Sequence, residues 1–128
     1  MSIRLLFLAM AVCGLSLIAS ASASTQEART ITGYLVDKAT ADQLMDSDDP
    51  MGGAKLVTKK HLLAADSGYG VLVKDGDSYM FKNFNDDWNA FAKKLIRESE
   101  KSAGIKVEVS GKQQRRAAMV IESIAEVD

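Results

Sequence analysis

Hydrophobic positions are distributed along this chain in two distinct regimes. The first is an apolar run, Leu5 to Val12 and Leu15 to Ala19, preceded by Arg4 and dissolving into Ser20-Ala21-Ser22-Ala23-Ser24. A basic start, a short apolar stretch and small residues before a cut are the parts of a secretory signal peptide. Both Ala19-Ser20-Ala21 and Ala21-Ser22-Ala23 fit the small-residue rule, and the second predicts cleavage after Ala23. A membrane span needs about 20 predominantly apolar residues, whereas Gly14 and Ser16 interrupt this run. Residues 1–23 therefore read as a removed leader, and residues 24–29 as a flexible N-terminal segment.

The second regime is a series of short runs at strand and helix periods. Thr30 to Asp37 alternates or runs apolar over strand length, with Gly33 where a bent strand needs one. Lys38 to Asp66 has no strand-like stretch and contains Asp46-Ser47-Asp48-Asp49-Pro50-Met51-Gly52-Gly53, so it reads as a long loop. Leu56, Val57, Leu63 and Ala64 recur near helical spacing and allow one short helix in its second half. Gly68 to Lys74 and Ser78 to Phe84 are strand-like runs joined through Asp75-Gly76-Asp77. An Asp-Gly step between such runs is a strong hairpin signal, because glycine accepts the positive φ of a tight turn. Asn85 can cap a helix whose first turn holds Asp86 and Asp87. Trp88, Phe91, Ala92, Leu95 and Ile96 then form a core-facing stripe, with Gly104 placed to end the helix. Ile105 to Val109 alternates, Ser110 to Arg116 is a polar connection, and Met119 to Ile124 is a last strand.

The predicted fold is mainly β with one or two helices, in the order β-β-β-α-β-β over a single domain at 30–128. That is the arrangement of an OB-fold-like five-strand Greek-key barrel. Trp88, Phe91 and Leu95 are expected to plug one end of the barrel.

Composition narrows the chemistry. Loss of Arg4 with the leader takes the net charge from −1 to −2, leaving about 105 residues with a balanced surface rather than the basic stripe of a nucleic-acid binder. The only cysteine, Cys13, lies in the leader, with Met10 and Val12 in place of the Leu and small residue of a lipidation site. The mature chain thus has no disulfide, thiolate metal site or cysteine nucleophile. His61 is the only histidine and follows Lys59 and Lys60, which oppose both its protonation and cation binding.

Asp46, Asp48 and Asp49 invite a calcium reading, but an EF-hand register starting at Asp46 puts Pro50, Met51 and Val57 at positions five, six and twelve, so a solvated acidic loop is the expectation. Ser67-Gly68-Tyr69-Gly70 precedes a strand, not a helix, and so is no phosphate cradle. Tyr79 and Phe81 share a side of their strand and read as core, leaving Tyr34 and Tyr69 as the candidates for exposed aromatics. One histidine and no nucleophile elbow give no argument for covalent catalysis.

The motifs resemble a family of small bacterial exported proteins of OB-like type. Thr32, Gly33, Val36 and Asp37; Ser67, Gly68, Tyr69 and Gly70; Asp75 and Gly76; Val107, Val109 and Gly111; and Ile121 and Ile124 carry the likeness, over nearly the whole mature chain. The resemblance implies cysteines in the first loop and shortly before Ser-Gly-Tyr-Gly, where this chain has Ala39-Thr40 and His61 to Asp66. It looks like a cysteine-free member.

The expectation is a bacterial periplasmic or secreted protein, a non-enzymatic monomeric binding module without cofactor or membrane span after cleavage. It is expected to bind a protein or small-molecule partner of the cell envelope through the 38–66 loop and the strand 2–3 face, with Tyr34, Tyr69 and His61 as ligand contacts. An ordered insertion of roughly 29 residues is long for a compact domain and points to function. The alternative is single-stranded nucleic-acid or oligosaccharide binding on the barrel face, with nucleic acid disfavoured by charge.

Overall fold

The structure, a computed structural model, describes residues 26–114 and 119–128; the leader, Cys13 and the pair Arg115-Arg116 lie outside them. Five strands form one antiparallel sheet: β1 (Gln26–Asp37), β2 (Tyr69–Asp75), β3 (Ser78–Asn83), β4 (Lys106–Gln114) and β5 (Val120–Val127), in the order β3-β2-β1-β4-β5. Four helices accompany them: α1 (Lys38–Met45), α2 (Pro50–Ala54), α3 (Lys59–Ala64) and α4 (Asp86–Glu98). The mainly β class is thus the one expected. The described residues group into two compact units, residues 30–110 with 121–128, and residues 26–29 with 111–114, 119 and 120.

In the smaller unit most strand residues are polar. The Arg29 guanidinium donates to Gln113 Oε1 (3.0 Å), and Gly111 and Met119 are buried. β1 begins at Gln26, so most of the segment expected to be flexible is strand. Gln-Glu-Ala-Arg has no apolar alternation to announce it.

The larger unit holds the core. Register pairs Tyr34 with Leu72, Val36 with Gly70, and Leu72 with Phe81, placing these residues on one face of the sheet. Leu35 with Val71, and Val73 with Met80, lie on the other. Tyr69 to Val73 are all buried, so both faces of β2 are covered. Gly33 is required by close approach: a Cβ there would run into the Leu72 carbonyl and the Val71 side chain.

The segment read as a loop, 38–66, contains three short helices, each started by a capping side chain. Asp37 accepts from the Thr40 amide (3.2 Å), Asp49 from that of Gly52 (3.0 Å), and Thr58 from that of His61 (3.0 Å). The Asp49-Pro50 step is a cap followed by proline at the first helical position. The acidic, glycine-rich composition obscures that signal. Ala41 of α1 and Ala54 of α2 pack on Val36 and Leu72, with Tyr34, Leu44, Met51, Val57 and Phe81 around them. The insertion therefore packs on the strand 2–3 face, which was expected to form a contact surface together with it.

α4 starts as expected, with Asn85 accepting from the Trp88 amide (3.0 Å). Its buried residues are Ala92 and Ile96, however; Trp88 and Leu95 are half-buried and Phe91 is exposed, its ring edge-on to Trp88 at 5.5 Å. The apolar stripe is wider than the contact, and its narrow side chains face the core. The helix ends at Ser99. Gly104, with φ +67°, instead allows the following loop to press on the Lys55 carbonyl, which a Cβ would approach to 2.7 Å.

Candidate functional site

Three clefts in the larger unit all border the stretch 58–69, which comprises α3 and the turn into β2.

Asp37 closes β1 and caps α1, and it is buried, at 3% exposure. Its Oδ2 accepts from Thr40 N, and its Oδ1 lies 3.1 Å from His61 Nε2. A carboxylate can only accept, so Nε2 carries the proton. Thr40 Oγ1, 2.9 Å from the same nitrogen, is a second acceptor for that N–H. In the neutral ring Nδ1 is then the lone-pair nitrogen. The His61 side chain is 53% exposed, so this pair joins a buried anion to the surface. Thr40 and His61 lie 21 residues apart in the chain, and the fold brings them together.

A cleft of about 170 Å³ opens beside this pair, lined by Asp37, Ala39, His61 and residues 64–67. The Ser67 hydroxyl accepts from the Ala39 amide (3.2 Å), tying the turn to the start of α1.

On the other side of residues 65–68 lies a polar cleft of about 450 Å³, where Asp66, Asp86, Asn89 and Lys93 meet. Asn89 organises it: its Oδ1 accepts from the Tyr69 amide (2.8 Å), and its Nδ2 donates to the Phe84 carbonyl (3.3 Å). Gly68, at φ +86°, makes the turn between the two clefts.

Tyr69 borders this cleft but is buried rather than exposed, with its hydroxyl donating to the Leu62 carbonyl (2.5 Å). Burial foremost, and the negative charge of Asp37 next, raise its pKa above the ordinary 10.0, with Arg97 opposing. Tyr34 is half-buried against the helices. Neither is the exposed aromatic expected, because Tyr34 packs against the insertion and Tyr69 is buried at the start of β2. Asp46, Asp48 and Asp49 are exposed; Asp49 caps α2 and Asp46 ends α1, and no group of three potential metal ligands converges among the described residues.

Sequence reasoning missed Asp37 and Asn89. Asp37 was legible as a carboxylate immediately before a helix start. Asn89 has no sequence signal, since its role depends on where α4 meets β2.

No family model, curated protein or solved structure matches this chain.

Proposed function

We propose that the protein is an exported, non-enzymatic OB-type module that binds a small polar ligand of the cell envelope at the stretch 58–69. The observation that carries this reading is the convergence on that stretch of the polar cleft around Asn89 and the smaller cleft beside the Asp37–His61 pair. Asp66, Asp86, Asn89, Lys93 and His61 offer acceptors, donors and both charges, the few placed polar groups that fix a ligand's orientation.

The OB-type reading is supported by the order β3-β2-β1-β4-β5 with α4 between β3 and β4, which corresponds to an opened OB barrel. A non-enzymatic role is supported at Ser67, whose hydroxyl bonds the Ala39 amide rather than the imidazole. Binding of single strands on the strand 2–3 face is disfavoured, because α1 and α2 pack there.

The test is amide chemical-shift mapping during titration with a panel of sugars, amino acids, nucleotides and a single-stranded oligonucleotide. A small polar compound should shift Ser67, Gly68 and Asn89, and Lys93→Ala or Asp86→Asn should weaken it. Shifts confined to β2 and β3 with the oligonucleotide, steeply lost with salt, would overturn the reading. So would a panel that leaves 58–69 unmoved.

A further inference from the structure

We propose that the third cleft bordering 58–69 is a separate site for a free long-chain carboxylate, an anionic amphiphile. This cleft, of about 560 Å³, is lined by Thr58, Lys59, Lys60, Leu63 and Ser102. Its wall is apolar in character, built from the half-buried Leu63 and, by side-chain chemistry, from lysine stems and the threonine methyl. The exposed Leu56, 76% accessible, lies two residues before Thr58.

Lys59 gives the cleft its specificity. It is half-buried, and its Nζ donates to the Ser99 carbonyl (2.7 Å), fixing the ammonium in place. An ammonium has three donors, so two remain. The ion pairs found among the described residues, Lys38 with Asp42 and Asp37 with His61, do not involve it. The Glu126 carboxylate near Ser99 accepts from the Ser99 hydroxyl (2.8 Å). Lys60, beside Lys59, is exposed and adds a second positive charge. Residues 55–63 contain three lysines and no carboxylate.

A held, half-buried cation without a carboxylate partner, opening on an apolar wall, complements an anion that carries an apolar tail. A neutral amphiphile would leave the ammonium uncompensated, and a cationic one would be repelled. The backbone supports a stable cleft: the Lys59 amide donates to the Ser102 carbonyl (2.8 Å), and Thr58 bridges Ala103.

The probe is dodecanoate, titrated below its micelle concentration into the protein by calorimetry, with amide shifts recorded in parallel. Dodecyl maltoside and dodecyltrimethylammonium serve as chain-matched controls. One saturable site is expected for dodecanoate, with shifts at Lys59, Lys60, Leu63 and Ser102 and at least tenfold weaker binding of both controls. Lys59→Met keeps the stem, removes the charge and should weaken dodecanoate about tenfold. Because Lys59 also tethers Ser99, Lys60→Met, which breaks no observed bond, provides a second reading and should weaken it severalfold. Equal affinity for all three headgroups, unchanged affinity in both variants, or shifts confined to Trp88 and Phe91 would overturn the proposal. Association only with vesicles of anionic lipid, without binding of dodecanoate, would overturn it as well.

Discussion

Replacing Asp37 by alanine tests how the insertion is tied to the sheet. The substitution removes the cap of α1, a loss of about 1 kcal/mol, and the acceptor for His61 Nε2. A hydrogen bond of that kind contributes about 0.5–1.5 kcal/mol, and the lower half applies because His61 is 53% exposed and screened by water. Removing a buried carboxylate also relieves its desolvation, so the net cost is about 1–2 kcal/mol. Asp37→Asn keeps a good capping oxygen and should cost only about 0.5 kcal/mol. His61→Ala should cost about 1 kcal/mol, and the double variant Asp37→Ala/His61→Ala about as much as Asp37→Ala alone, a coupling of about 0.5–1 kcal/mol. Urea unfolding followed by the single tryptophan, Trp88, and by far-ultraviolet circular dichroism measures all four at unchanged m-value. If the Asn variant is as damaging as the Ala variant, or the two single losses simply add, then Asp37 is not the joint described.

Two further outcomes follow from burial. Because the folded-state pKa of Tyr69 is raised, its contribution is complete below the ordinary 10.0 and is lost as pH rises above that value. Tyr69→Phe should therefore lose about 0.5–1.5 kcal/mol at neutral pH through the Leu62 bond, and its melting temperature should fall less steeply than the parent's above pH 10. Ile96→Ala should cost about 2–5 kcal/mol and Phe91→Ala under about 1 kcal/mol. Thermal melts showing the reverse order would return Phe91 to the core.

Sequence periodicity located the hairpin, α4 and the last two strands because each has a local signal: Asp75-Gly76, Asn85 with its acidic first turn, and the alternation of Ile105 to Val109. It was weaker where geometry is decided by packing. The α4 stripe is apolar over five positions, but only contact with the sheet selects Ala92 and Ile96 as its buried edge. In the insertion, polar and glycine-rich composition outweighed three genuine caps, and the short helices are stabilised by burial against Val36 and Leu72 more than by propensity. Of the candidate site, His61 was legible by its uniqueness. Its pairing with Asp37 was not, since the two residues lie 24 positions apart.

The strand order has a kinetic consequence. β1, which precedes the other four described strands in the chain, is flanked by β2 and β4, and the latter begins at Lys106. Its ladder cannot be completed until β4, about 70 residues further along the chain, has been made, and such non-local pairing slows folding.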